Sequence, residues 1–378
     1  MDNYEKLYLI SKINKKKHYN IVINNQIKSN NIYIKNNNKA LRIYYFDILR
    51  IISSFSVVLI HVSGRYYNSN INSNNWKIAH YYNGISRFGV PVFFMISGAL
   101  FLSKDLSISQ ILKKYIGRLL IKLIFWSFIY SIYKANLSIK NIQIIIINLF
   151  LGNYHFWYIY VIIELYLITP FLREIIKKDL LKFYINLSFI FTFIIPNFND
   201  FHSYFPQILS KIVQIINIKL DFKYIKGYIF YFMFGYYLNN KNIPLFKIIF
   251  IYILGIFGCL FTTIILYKIS IIKQKKNIKY FRGLNLNILL YSTSIFMFFK
   301  YILNNYTINI LLKRISNYTL GIYLIHPLIL HQIRRISGDF SSIKLLFKIP
   351  FISIIVFIIS LIICIIIKFT PIFGIYLI

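Results

Sequence analysis

Acidic residues are scarce in this chain: ten Asp and Glu stand against 44 Lys and Arg in 378 residues, a formal charge of +34. Charged residues of both signs make up only 14%, against roughly 25% in soluble domains. That shortage excludes an ordinary soluble globular protein. Cysteine is nearly absent. Cys259 and Cys364 both sit inside apolar runs, so neither a disulfide framework nor a thiolate metal site follows from them. The chain also lacks a phosphate-cradling Gly-rich loop, a His-Glu-x-x-His pair, a Cys-x-x-Cys pair and a Gly-x-Ser-x-Gly turn. No internal repeat of the kind that marks secondary transporters is visible. The apolar runs do not alternate in the manner of lipid-facing strands, which excludes a membrane β-barrel.

What is present is apolar: 58% of residues are hydrophobic and 19% aromatic, with a mean hydropathy of +0.61. The class is an all-α polytopic membrane protein. With the basic residues punctuating apolar runs, the expected partners are anionic lipid headgroups and phosphates; nucleic acid is not expected. At roughly 20 residues per span, candidates fall near 43–63, 84–102, 119–134, 155–173, 181–196, 226–239, 247–267, 284–303, 318–333 and 349–370, about ten transmembrane helices. The short apolar stretch 140–151 reads as interfacial or re-entrant. Residues 1–40, with ten Asn and eight Lys, read as a disordered basic cytoplasmic tail before a membrane-embedded unit at 41–378. They carry neither the apolar core nor the cleavage site of a secretory signal.

Nine Lys and Arg precede the first span, which places the N-terminus in the cytoplasm. Lys104, Lys113, Lys114 and Arg118, and then Arg173, Lys177, Lys178 and Lys182, fall on the same side. One loop breaks the rule. Lys268, Lys273, Lys275, Lys276, Lys279 and Arg282 fall outside under ten spans.

Ionisable groups inside spans cost roughly 2.5–3.5 kcal/mol each on insertion scales, so each is a functional candidate. Only two acidic residues, Asp47 and Glu164, lie in or at the edge of a span. In the first span Arg50 and His61 are eleven residues apart, just over three helical turns, on one face and about 16 Å apart along the axis. Asp47 and Ser54 join that stripe. A purely structural reading stands beside the functional one: Asp47 neutralises Arg50, and His61 bonds a neighbouring carbonyl. His326 precedes Pro327, where an imidazole often satisfies a carbonyl freed by the break. Trp157 and Tyr158 at a span boundary read equally well as interface anchors.

Four ordered stretches carry a resemblance. They are FDILRIISSFSVVLIHVS (46–63), FGVPVFFMISGALFL (88–102), YHFWYIYVIIELYLITPFLR (154–173) and SNYTLGIYLIHPLIL (316–330), with YFMFGYYL (231–238) as a weaker fifth. Together the sequence resembles the integral-membrane acyltransferase 3 family, over about residues 41–333. Its closest likeness is to the short members that O-acetylate surface polysaccharides such as enterobacterial common antigen. No appended extracytoplasmic hydrolase-like domain is expected. The resemblance implies about ten spans in a bacterial cytoplasmic membrane, and cytosolic acyl-CoA, most often acetyl-CoA, as donor co-substrate with no bound cofactor or metal. It implies a glycan or lipid-linked glycan as acceptor. The family's Arg-x10-His pair maps onto Arg50 and His61 as catalytic residues, with Asp47 positioning or neutralising Arg50.

Lys113, Lys114 and Arg118 are candidates for the polyanionic end of the donor, although flanking charge explains them equally well. Here LKKYIGRLL departs from the family's Arg-x-x-Arg pair by placing Tyr115 at the earlier position. Ser97, His155, Trp157, Glu164 and His326 complete the candidate substrate contacts, and no family role is carried onto Glu164. A non-enzymatic carrier or exporter of a polysaccharide precursor is the competing class; it would work without acyl-CoA. Deleting residues 1–40 is expected to leave membrane insertion intact, since the tail has no apolar face to bury. Fractionation of the truncated chain into the soluble pool would show instead that the tail orients the first helix.

Overall fold

The computed structural model describes residues 43–135, 142–200, 206–219, 224–303, 309–336, 343–370 and 374–377. The tail 1–40 therefore lies outside the described residues. Among these, every regular element is helical. In chain order the principal helices are α1 (Tyr44–Gly64), α2 (Asn74–Ile85), α3 (Gly89–Leu102), α4 (Gly117–Lys134), α5 (Ile142–Leu151), α6 (Trp157–Lys177) and α7 (Leu181–Phe189). They continue with α8 (Gln207–Lys219), α9 (Tyr228–Asn240), α10 (Leu245–Leu260), α11 (Leu286–Leu303), α12 (Ile310–Asn317), α13 (Thr319–Ile336) and α14 (Leu345–Lys368). Residues 44–378 form one compact unit.

Among the described residues, six stretches are long and apolar enough to cross a membrane: Tyr44–Asn68, Asn74–Leu102, Ile108–Lys134, Leu245–Ile272, Lys279–Leu303 and Leu345–Lys368. The expectation of about ten is met at six. Helices do occupy the other four candidate segments, and two physical reasons set them apart. The α9 helix has 13 residues, about 20 Å of rise, and Leu181–Asn197 is short as well. The α6 and α13 helices have the length, but polar residues dilute them: Glu164, Arg173 and Glu174 in α6, and His326, His331, Arg334 and Arg335 in α13. The stretch 140–151 contributes the ten-residue α5, too short to span, which packs on α4.

The α1 helix is the central element. It packs against α2, α3, α11, α12, α13 and α14. Val57, Val58 and Val62 of α1 meet Trp126 and Tyr130 of α4, Ile322–Ile325 of α13 and Val356 of α14 in one apolar core. Peripheral helices turn large apolar side chains outward, as Phe246, Phe250, Ile253 and Phe257 of α10 do. That is the composition of a surface solvated by lipid tails.

The tightest helix pair is α3 with α9. A Cβ on Gly98 would overlap the carbonyl of Phe232, and one on Gly235 would overlap the backbone of Met95. Each glycine thus makes room for the other helix's backbone. Close approach of this kind is what small residues supply where no hydrophobic drive operates between helices. It anchors the 88–102 segment against which α1 packs.

Gly98→Ala is therefore expected to destabilise the fold by about 1–3 kcal/mol through overpacking, despite the better helix propensity of alanine. The check is the melting temperature of the detergent-solubilised protein, with Gly64→Ala as control because nothing lies within 4 Å of a Cβ there. A Gly98→Ala protein that melts with the control would contradict the close packing.

Candidate active site

The polar stripe of α1 exists as its spacing implies, and its two ends are held differently. At the N-terminal end Asp47 is 1% exposed. It accepts a 2.7 Å hydrogen bond from Ser316 Oγ at the end of α12, and Arg50 Nη1 lies 3.5 Å from its carboxylate. At the C-terminal end Ser63 Oγ donates within the helix to the carbonyl of Ile60 at 3.1 Å, and donors from other helices reach the last turn. Asn83 Nδ2 of α2 donates to the carbonyl of Ile60 at 3.2 Å, and Arg334 Nη2 of α13 to that of His61 at 3.4 Å. Asn83 itself accepts from the Arg87 guanidinium.

Three imidazoles gather at this second end. His61 and His326 have ring centroids 5.1 Å apart, and His326 and His155 are 5.8 Å apart. Tyr154 covers His61, its hydroxyl 3.5 Å from Nδ1. His155 is buried with neither ring nitrogen hydrogen-bonded among the described residues. His326 is buried too, with Nδ1 3.2 Å from the carbonyl of Ile322. A carbonyl only accepts, so Nδ1 carries the proton of the neutral ring and Nε2 is left as the basic nitrogen. That Nε2 has no partner among the described residues. The imidazole thus bonds, through one nitrogen only, the carbonyl one residue before the Tyr323 carbonyl that Pro327 frees.

His61 lines a pocket of about 1130 Å³ together with Tyr154, Lys134, His331, Arg334 and Arg335. Among the described residues the lining contains no carboxylate and, besides His61, four basic side chains (Lys134, His331, Arg334 and Arg335), so it is electropositive. Arg50 lies elsewhere, in a cavity of about 150 Å³ with Ser97 of α3, Tyr158 and Tyr166 of α6, and Tyr323 of α13. Tyrosines connect the two stations. Tyr323 donates to the carbonyl of His155 and packs against both His326 and Tyr158, with centroids 6.0 and 5.4 Å apart. Hydroxyls and imidazoles thus follow one another from the His61 pocket down to Arg50.

Of the remaining candidates, Trp157 lines a different groove and stacks near Tyr228, at 5.2 Å between centroids. Glu164 is exposed on α6 and lines neither station. Lys113, Lys114 and Arg118 are exposed at the start of the α4 segment, near the Asp47 end of the bundle. They too line neither cavity. Tyr154, Tyr323, Lys134, Arg334 and Arg335 are site-lining residues that the sequence did not single out, and Tyr158, read there as an interface anchor, lines the Arg50 cavity. Tyr323 lies inside a quoted motif, but in a chain with 33 tyrosines residue type alone does not mark it.

An all-helical bundle with six membrane-length apolar helices and a buried imidazole cluster beneath a basic pocket defines a multi-pass membrane protein with an internal polar site. The chain belongs to the acyltransferase 3 family: the family model, described as an acyltransferase domain, matches residues 43–369. Neither a curated protein nor a solved structure matches it.

Proposed function

We propose that this membrane acyltransferase moves an acyl group, acetyl in the first instance, from cytosolic acyl-CoA to a hydroxyl of a cell-surface polysaccharide or lipid-linked glycan. It would do so across a bacterial cytoplasmic membrane, with about ten helices crossing or embedded and the N-terminus in the cytoplasm. The observation that carries the reading is the His61–His326 pair at a basic pocket, joined through Tyr323 and Tyr158 to the Arg50 cavity. Donor and acceptor approach from opposite ends and meet along α1.

In the reaction a neutral imidazole takes the proton of the acceptor hydroxyl, whose oxygen attacks the thioester carbonyl. The C–S bond breaks, CoA leaves as thiolate, and the imidazolium proton returns to that sulfur. His61 is the base, and the unpartnered Nε2 of His326 lies beside it to share the proton. A transient acyl-histidine at His61 is the other route these residues support. Arg50 is about 16 Å along α1 from His61, so its role is to orient the donor rather than to face the developing oxyanion. Lys113, Lys114 and Arg118 attract the nucleotide end of CoA. Asp47 fixes the Arg50 fork.

The test uses membrane vesicles supplied with acetyl-CoA, with acceptor acetylation read by mass spectrometry. His61→Ala is expected to lose about 10²–10⁴ in rate while the protein still inserts and accumulates. Arg50→Lys, which keeps charge but not the planar fork, is expected to raise the KM for acetyl-CoA more than it lowers kcat. His326→Ala should impair the rate less than His61→Ala. Near-normal transfer by a well-expressed His61→Ala protein would remove His61 from the mechanism. Transport of an acceptor without any donor requirement would favour a carrier instead.

A further inference from the structure

The loop whose six basic residues defy the charge rule finds its place at the His61 end of the bundle. Lys276 Nζ donates to the carbonyl of Tyr67 at 2.6 Å, and Gln274 meets Asn72. Both contacts lie just beyond the C-terminus of α1. There the loop walls two adjoining cavities of about 770 and 590 Å³, which share Arg87, Lys279, Phe281 and Arg282. Lys226 lines the first, and Lys273, Lys275 and Lys276 line the second. Seven cations therefore face one groove, and among the described residues its lining contains no carboxylate.

Arg and Lys side chains gathered in this way favour phosphate oxygens. The opposite wall is aromatic. Trp157, 39% exposed, and Tyr228 form a tilted shelf able to take the apolar face of a sugar ring. Ile60, the residue before His61, lines the same groove. The groove and the His61 pocket thus lie on either side of the last turn of α1.

We propose that this groove binds a phosphate-bearing glycan, the phosphate held by the Arg87–Lys279–Arg282 wall and a sugar resting on Trp157. The proposal rests on the acyltransferase reading in making that glycan the acceptor, with a neighbouring hydroxyl delivered to His61. An anionic lipid headgroup shares the phosphate chemistry and is the alternative source to be separated from it.

Trp76 and Trp126 are buried and line neither cavity, so a ligand-induced change in the fluorescence of the full-length chain in phosphatidylcholine nanodiscs reports mainly on Trp157. Titration with glucose 1-phosphate should give a saturable change that glucose at equal concentration does not. A variant carrying Lys273→Gln, Lys275→Gln, Lys279→Gln and Arg282→Gln, all exposed side chains, should bind at least tenfold more weakly. Equal responses from variant and wild type, or none from either, would overturn the proposal. It would also be overturned if phosphatidylglycerol nanodiscs alone produced the change and glucose 1-phosphate did not, which would assign the groove to lipid. No acyl donor is present in the titration. Binding in a protein without transferase activity would therefore retire the acyltransferase reading alone, and absent binding in an active transferase would retire the groove alone.

Discussion

The first helix is pinned at both ends by polar contacts, and the rest of the site depends on that. Each residue of an α-helix turns the face by about 100°, so a small rotation of α1 would carry its polar stripe away from the cavities it lines. Apolar packing alone is a weak guard against such rotation, because one branched residue replaces another at modest cost. Directional bonds are a better one. Ser316 and Arg50 fix Asp47 at one end, while Asn83 and Arg334 hold the carbonyls of Ile60 and His61 at the other. An unsatisfied carbonyl in hydrocarbon is expensive, so the same bonds that orient the helix also complete its terminus.

Dryness shapes the chemistry between those ends. His155 and His326 are packed among tyrosines, with ring nitrogens that find no partner among the described residues. A buried polar group left unsatisfied costs about 1–3 kcal/mol. A fold that keeps several in one place stores a reason for a polar ligand to enter. The Ile322 carbonyl adds direction by fixing the His326 tautomer, which leaves Nε2 as the basic nitrogen. Structural satisfaction and functional availability are thus divided between two atoms of one ring.

How much of this was legible follows from which contacts are local. The stripe Asp47–Arg50–His61 was readable because one helix with one period carries it. His155 and His326 were readable as candidates because imidazoles are rare in apolar runs; that they meet His61 was not, since three separate helical segments bring them together. The ten candidate segments and the six long apolar helices differ where polarity and length part company. A helix such as α13 is built to be buried on several sides, so its histidines and arginines dilute the hydropathy that a lipid-facing helix like α14 displays. Glu164 drew notice as a mid-span carboxylate, yet α6 turns it outward, and the face it occupies depends on how α6 packs. Tyr323 was hidden by abundance rather than by distance.

The charge asymmetry needs a different account from the one that loop counting supplies. Flanking charge explains bases at the Asp47 end of the bundle, where Lys113, Lys114 and Arg118 are solvated and line neither cavity of the site. It does not explain Arg87, Lys279 and Arg282, which crowd together at the His61 end around one groove. Repulsion among such groups opposes folding unless something offsets it. Part of the offset is visible: the Arg87 guanidinium is bonded to Asn83 and lies over the ring of Phe281, 5.1 Å from its centroid. Asn83 in turn holds the end of α1, so the cation nearest the groove and the helix bearing His61 share one hydrogen-bonded residue. An anion entering the groove would act on Arg87 and, through Asn83, on the backbone that places the imidazole.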